Sequence, residues 1–282
     1  MSRNFELLRR AGLVDALFLP SGEEVTPCLA GSIKSEPGVV EAERDRIEDQ
    51  DLPTPGFIEE PALRAFRRNS TLDEQAYEEV VKVVQRVFVM PNSSSVPRLV
   101  IFSNVDRGSG SGEICIGAGE VLATQVSGSV CVVDANFHAP ALHRLLGVDK
   151  IPGLADATVS ADPIKSFVAR IGDENLWLLP AGSRLGEVRN LIASGRLRSR
   201  MLEVKEKFDY VLIDAPPVNS YTDAAVLGQL ADGVILVVEA NSTRRESARM
   251  AKKTLQNSQV KLLGAILNNR TFPIPEAIYR SL

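Results

Sequence analysis

Two aspartates stand where a parallel sheet would place reactive side chains. Asp134 ends the apolar run VCVVD, and Asp214 ends the apolar run YVLID. A carboxylate at the end of a buried strand faces the crevice in which such sheets bind ligands. Two of them on separate strands could share a Mg²⁺ ion or its waters, as phosphoryl-transfer sites require. The alternative is that each carboxylate caps a following turn or helix.

A glycine-rich segment supplies a second group of candidate residues. It lies in FSNVDRGSGSGEICIGAGEVLA, residues 102–123, after the apolar run RLVIFS. A strand, a glycine-rich turn and a helix in that order are typical of a phosphate-binding loop, because glycines let backbone N–H groups surround phosphate oxygens. Such a loop also needs a lysine, and the sequence has none between Lys82 and Lys150. Arg107 is the only local cation and the candidate substitute.

Alternating strand and helix patterns are expected to position these residues. Short apolar runs typical of strands buried on both faces occur at 97–103, 126–135, 175–182, 207–217, 233–240 and 261–268. Helical patterns lie between several of them, at about 112–125, 185–206, 222–231 and 243–257. The alternation predicts an α/β fold with a doubly wound, mostly parallel sheet of about six to seven strands flanked by helices. The two aspartates and the glycine-rich segment then meet at one edge of the sheet.

The N-terminal part is predicted to lie outside that fold. Residues 1–70 are punctuated by prolines and carry an acidic stretch, EAERDRIEDQD, at 41–51. This composition predicts an extended, partly disordered segment with one short helix near 3–18, and the alternative is a docking arm for a partner. Residues 71–282 form the predicted domain, which opens with an amphipathic helix over 71–89.

Composition narrows the function classes. The formal net charge of −4 gives no general attraction to an anionic membrane or to nucleic acid, so no nucleic acid is expected as a partner. Cys28, Cys115 and Cys131 lack metal-ligand spacing, and the last two are predicted to be buried thiols in a reducing compartment. No apolar stretch approaches the roughly 20 residues that cross a bilayer, and the N-terminus lacks the apolar core of a signal peptide. The expected location is cytoplasmic, with any membrane contact peripheral or through a partner.

Several segments, taken in order, resemble the cytoplasmic kinase domain of the bacterial tyrosine kinases that control capsule and exopolysaccharide assembly (BY-kinases). That family belongs with the deviant-Walker ATPases of the partition and septum-placement type. The resemblance covers about residues 97–282 and implies a P-loop NTPase-like fold that uses ATP and Mg²⁺. The segments that carry it are VCVVDANFHAPALHRLLG (130–147), GLADAT (153–158), LWLLPAGS (176–183), FDYVLIDAPPV (208–218), DAAVLGQLADGVILVV (223–238) and KLLGAILN (261–268).

The resemblance also aligns the glycine-rich segment with the family's phosphate loop, GEGKST. Ser111 replaces the lysine that neutralises phosphate charge, and Gly112 replaces the hydroxyl that binds Mg²⁺. If ATP binds, the resemblance implies that Asp134 and Asp214 are catalytic and hold Mg²⁺. The nucleotide-binding positions that it implies are Arg107, Gly108, Ser109, Gly110, Ser111, Gly112 and Glu113.

The sequence departs from the family's pattern in two more places that concern catalysis. Asn136 stands where the family has a second acidic residue, and the C-terminal stretch TFPIPEAIYRSL holds only Tyr279 in place of a tyrosine-rich tail. We therefore expect a non-catalytic scaffold or regulator of capsular or exopolysaccharide biosynthesis and export. One alternative is an active ATP-binding tyrosine autokinase or ATPase with an atypical loop. Another is a nucleotide-dependent positioning switch of the partition type, without kinase activity.

The resemblance further implies partners. A membrane-bound polysaccharide chain-length regulator or co-polymerase is the expected docking partner. The family uses its first helix to form rings, and the 71–89 helix carries Glu79, Lys82 and Arg86 on one face. Homo-oligomer formation through this helix is one interpretation, and a solvated charged face is the other.

Overall fold

A computed structural model describes residues 74–90, 96–108, 110–148, 151–172, 175–183, 191–192 and 194–269. The predictions for Ser109, Tyr279 and the whole of 1–70 fall outside the described residues and stay predictions. So does the proposed division of the chain near residue 70.

The described strands form one sheet that is parallel except at one edge. They are β1 (Leu99–Asn104), β2 (Val130–Asp134), β3 (Ala169–Ile171), β4 (Leu176–Leu179), β5 (Tyr210–Ala215), β6 (Gly233–Glu239) and β7 (Leu262–Asn268). The strand order is β3-β4-β2-β5-β1-β6-β7, and only the β3–β4 pair is antiparallel. The predicted α/β fold with a mostly parallel sheet is confirmed.

Helices follow most of the strands. They are α1 (Glu74–Val84, continued by a π-helical turn, Gln85–Val89), α2 (Ser111–Gln125), α3 (Leu142–Leu145), α4 (Leu154–Ala157), α5 (Gly195–Lys207), α6 (Asp223–Gly228) and α7 (Arg245–Asn257). A short 3₁₀ helix, Ile164–Phe167, precedes β3. Each strand and helix predicted within residues 71–282 overlaps an observed one.

Strand β3 has no counterpart among the predicted strands. This strand has only three residues, Ala169–Ile171, and it pairs antiparallel with β4 at the edge of the sheet. Three residues are too few to establish an alternating or continuous apolar pattern. Its pairing depends on the turn before β4, which the local sequence does not specify.

Two apolar clusters cover the two faces of the sheet. Successive side chains of a strand point to opposite faces, so Leu99 and Ile101 of β1 enter one cluster while Val100 and Phe102 enter the other. Helices α4, α5, α6 and α7 pack on the first face, and α1, α2 and α3 pack on the second. Every residue of β1 is buried, which explains why this strand reads as a continuous apolar run.

Two further observations bear on the composition argument. Cys115 and Cys131 are buried free thiols, as predicted. Among the described helices, none is long and apolar enough to cross a membrane.

Candidate functional site

The glycine-rich loop leaves the carboxyl end of β1 and leads into α2. Gly110 directly precedes the helix and has a φ of 120°, a conformation that side chains rarely adopt. A side-chain carbon at this position would also collide with the amide of Asn268 at the end of β7. Gly110 is therefore required for the turn itself.

Ser111 points into the protein. It is 3% exposed, and its Oγ donates a hydrogen bond to Asp214 Oδ1 at 2.7 Å. Asn104 Nδ2, at the end of β1, donates to Ser111 Oγ at 3.1 Å and to the Gly108 carbonyl oxygen at 3.3 Å. The hydroxyl of Ser111 is thus held by residues at the ends of β1 and β5.

Asp134 and Asp214 lie side by side at the ends of adjacent strands. Strands β2 and β5 are parallel, and the two aspartates are register partners. Both side chains are buried, at 0% and 2% exposure. The structure therefore brings together the two carboxylates that the sequence analysis selected.

The carboxylate of Asp134 is engaged by backbone donors. Its Oδ2 accepts from the N–H groups of Ala141 and Leu142, both at 3.0 Å, at the start of α3. Its Oδ1 accepts from the Asn136 N–H at 3.2 Å. These contacts match the capping interpretation of Asp134, which the sequence analysis had left open beside the metal-binding one.

Burial governs the protonation of this pair. Removal from water raises the pKa of Asp214 from 3.8 to about 8, and the neighbouring charge of Asp134 adds to the rise. Hydrogen bonds from Ser111 and Asn136 oppose it. Burial also raises the pKa of Asp134, to about 6, although three backbone N–H groups stabilise its anion. Since like charges this close disfavour double ionisation, the pair holds a proton near neutral pH.

Gly112 and Glu113 occupy the first turn of α2. A side-chain carbon on Gly112 would lie 3.0 Å from Leu142 Cδ2 and 3.5 Å from Asp214 Oδ2. The space for a hydroxyl beside Asp214 is consequently restricted by Leu142. Glu113 is partly exposed, where its charge interacts favourably with the positive end of the helix dipole.

Arg107 faces the loop that follows β5. Its Nη2 donates to Tyr221 Oη at 3.1 Å, and the guanidinium carbon lies 5.7 Å from the centre of the tyrosine ring. The other side of the cluster is formed by His138, which stacks on Tyr221 at 3.7 Å and contacts Asp223 Oδ2 through Nε2 at 2.9 Å. The one cation among the described loop residues is thus tied to an aromatic cluster at the mouth of the site.

A cavity of about 80 Å³ lies beside the loop. The charged residues in its lining are Asp106, Arg107 and Glu239. Glu239 Oε2 is 3.3 Å from the point where a side-chain carbon of Gly108 would lie. Within the described part of the chain, no group of three or more His, Cys, Asp or Glu side chains is arranged to hold a metal ion.

Three residues around the loop escaped the sequence analysis. Asn104 directly follows the predicted strand at 97–103, and a polar residue at that point was a usable signal. Glu239 carried the same signal, because it follows the apolar run GVILVV. Tyr221 carried none, because it is distant from the loop in sequence and approaches it only through the fold. Ser109, the remaining predicted loop residue, is outside the described residues.

The fold and this edge of the sheet define a P-loop NTPase-like α/β protein. A glycine-rich loop follows β1, and aspartates end the neighbouring strands. More particularly, the family model described as "Cellulose biosynthesis protein BcsQ" matches residues 98–269, and the chain belongs to that family.

A curated relative confirms the resemblance to bacterial tyrosine kinases. Tyrosine-protein kinase YwqD of Bacillus subtilis is 29% identical over 150 residues, which are 53% of this chain and 63% of that protein. The chain therefore spans less than two thirds of YwqD.

Two solved structures share the fold. The chimerical protein CapA2B2 superposes with a TM-score of 0.65 at 20% identity, covering 78% of this chain and 96% of that one. The kinase domain of the Escherichia coli tyrosine kinase ETK gives a TM-score of 0.60 at 21% identity, covering 71% and 78%.

Proposed function

We propose that this protein is a BY-kinase-like scaffold or regulator of polysaccharide biosynthesis and export that does not catalyse phosphoryl transfer. The observation that carries the proposal is the inward hydrogen bond of Ser111 to Asp214 at 2.7 Å. In a working phosphate loop this position supplies a lysine that reaches the phosphates. Here it supplies a neutral hydroxyl that is committed to the sheet.

The charges around the loop support the same proposal. A nucleotide phosphate would approach Glu239 beside Gly108 and Glu113 in the first turn of α2, while Arg107 is occupied by Tyr221. Phosphate charge near these carboxylates is repelled, and Arg107, which keeps its charge beside the neutral Tyr221, would have to leave that contact to compensate.

Titration calorimetry with Mg-ATP tests the proposal. We expect no saturable heat at millimolar nucleotide, and no thermal stabilisation in a parallel melting experiment. Saturable binding that disappears in Asp214→Ala would contradict it. Phosphotyrosine formed on incubation with ATP would then select the autokinase, and binding without phosphorylation would select the partition-type switch.

A loop graft provides the matched gain-of-function test. Ser111→Lys combined with Gly112→Ser restores both missing groups, and we expect it to create Mg-ATP binding where the parent protein has none. Leu142 must move for this graft, since a side-chain carbon on Gly112 lies only 3.0 Å from its Cδ2. Ser111→Ala is the control, because it removes the hydroxyl contact to Asp214 without adding a cation.

The pathway part of the proposal concerns partners. The family description names cellulose biosynthesis, and the BY-kinase resemblance implies docking on a membrane-bound chain-length regulator or co-polymerase. Co-purification of the full chain with such a protein expressed in the same membrane would support this role. An unchanged amount and length of polysaccharide after deletion of the gene would count against it.

A further inference from the structure

Charge is divided unevenly between the two faces of the sheet. Helices α5 and α7, on one face, carry nine Lys and Arg residues against three Glu. On the opposite face, α1 with its π-helical continuation, α2 and α3 carry three Lys and Arg residues (Lys82, Arg86 and Arg144) against five Glu. The formal net charge of −4 for the whole chain therefore conceals a strongly basic surface.

Most of the basic side chains are directed to solvent. Arg200 and Lys205 are partly buried and form ion pairs with Glu203 and Asp232. The exposed cations of these two helices and of the residue before α7 are Arg196, Arg198, Lys207, Arg244, Arg245, Arg249 and Lys253. Glu206 and Glu246 are the exposed carboxylates among them, so positive charge dominates this surface.

Helices α5, α6 and α7 of this layer each expose one large apolar side chain. Leu202 of α5 is 44% exposed, Val226 of α6 is 39% exposed and Met250 of α7 is 61% exposed. On α7 the residues that enter the core are Ala251 and Leu255. By helical geometry Met250 then lies well away from that buried stripe. Basic and apolar side chains are thus interspersed across three neighbouring elements.

We propose that the outer surface of α5, α6 and α7, termed the basic face, binds an anionic lipid surface. Clusters of Lys and Arg on a helical surface are attracted to anionic lipids, and scattered apolar side chains insert among the head groups. A protein partner fits less well, because interface cores are depleted of Lys and the apolar residues here form no contiguous patch. Nucleic acid would leave Leu202, Val226 and Met250 without a role.

The opposite face gives the contact an orientation. The glutamates of α1 and α2 would be repelled by the same lipid surface, so the protein would lie with the basic face against it. The carboxyl ends of the strands then remain at the side, accessible from solution. The attraction is electrostatic over short range, and screening by salt weakens it.

Vesicle co-sedimentation of the full chain tests the proposal. We expect binding to vesicles of phosphatidylcholine mixed with phosphatidylglycerol at low salt, and release at high salt. Phosphatidylcholine vesicles alone should bind little. Each basic residue near an anionic surface contributes about fivefold in affinity, so Arg249→Glu with Lys253→Glu should weaken binding by at least about tenfold. Met250→Ser should lower the fraction that remains bound as salt rises.

A matched pair of single charge reversals controls for net charge. Lys253→Glu alters the basic face, whereas Arg144→Glu alters an exposed residue of α3 at the opposite face. Only the first should reduce vesicle binding, and both should keep the parent far-UV spectrum and melting temperature. Equal loss in the two variants would overturn the proposal.

If the basic face binds something other than lipid, the binding experiments give different results. Binding to duplex DNA without binding to anionic vesicles would assign the basic face to nucleic acid and overturn the proposal. Self-association that Lys253→Glu abolishes, again without vesicle binding, would assign it to a second copy and overturn it equally. The experiment contains no nucleotide and no protein partner, so its outcome is independent of the proposed function.

Discussion

The protonation state of Asp214 depends on the groups that surround its carboxyl. Ser111 donates to its Oδ1, Asp134 is its register partner, and burial raises its pKa to about 8. A carboxylate that binds a metal ion or acts as a general base is ionised. In this protein the same aspartate is stabilised as the protonated acid, because no described cation offsets the loss of water around it.

The pH dependence of stability should report this protonation. The folded-state pKa of Asp214 is raised above the ordinary value of 3.8, so between pH 4 and 8 the unfolded state releases the proton while the folded state keeps it. Compared with a variant that has a neutral side chain at this position, the free energy of unfolding therefore falls as pH rises through that window. Asp214→Asn, which keeps an oxygen for Ser111 but cannot titrate, should gain at least about 1 kcal/mol of relative stability across it.

Thermal unfolding of both proteins over a pH series measures the effect. Asp134 titrates in the same direction below about pH 6, so the interval above pH 6 isolates Asp214. Parallel curves for the parent and Asp214→Asn would show that Asp214 is already ionised in the folded protein.

At the level of elements, Asp134 joins β2 to α3. Its carboxylate accepts hydrogen bonds from the backbone of Asn136, Ala141 and Leu142. Helix α3 has only four residues, so it depends on such contacts and on the burial of Leu142 for its position. The apolar sequence of β2 predicts the strand, but the seven-residue reach from Asp134 to Ala141 is set by the turn between them.

Asp134→Ala should destabilise the protein whether or not nucleotide is present. Loss of the acceptor leaves buried N–H groups unpaired, which costs roughly 1–3 kcal/mol. Urea unfolding with and without Mg-ATP measures the change, and Asp162→Ala, at an exposed position, is the control. A loss seen only in the presence of Mg-ATP would indicate that Asp134 acts as a metal ligand.

Helix α1 is the element on which self-association would depend. Lys82 Nζ contacts Glu79 Oε1 at 2.6 Å on its exposed face, and Tyr77, Val89 and Met90 are exposed at 42%, 43% and 74%. Exposed apolar residues beside a charged pair are compatible with a protein interface as well as with a solvated face.

Sedimentation velocity distinguishes these interpretations of α1. We expect the sedimentation coefficient to rise with concentration in the micromolar range. Met90→Ser should suppress the rise, because it removes exposed apolar area. Val159→Ser, which alters an exposed apolar residue away from α1, should leave the rise unchanged. A monomer at all concentrations, with or without partner, would exclude self-association through α1 under these conditions.

At the scale of the whole molecule, the two described cysteine thiols are buried in the core. Cys115 in α2 and Cys131 in β2 are both fully buried, and burial raises the pKa of both. For Cys115 the nearby carboxylates of Asp214 and Asp134 raise it further. The reactive thiolate is therefore scarce in the folded protein.

Alkylation of these cysteines should require global unfolding. Treatment with iodoacetamide, followed by peptide mass spectrometry, should show both thiols unmodified in the native protein and rapidly modified in denaturant. The labelling rate should rise with denaturant in parallel with the unfolded fraction. Fast labelling of Cys115 in native buffer would reveal local opening of α2 at the glycine-rich loop.

The sequence by itself determined the strand–helix alternation, the buried thiols, the position of the glycine-rich turn and the absence of a lysine from it. These features depend on local composition and on apolar periodicity, which short stretches of chain encode. Asn104 and Asp214 are 110 residues apart, yet both contact Ser111, and only the order of β5, β1 and β6 across the sheet decides that. The same order collects α5 and α7 on one face. Charge that sums to a modest negative value along the chain is thereby separated in space, because the sheet sorts helices by topology and not by sequence distance.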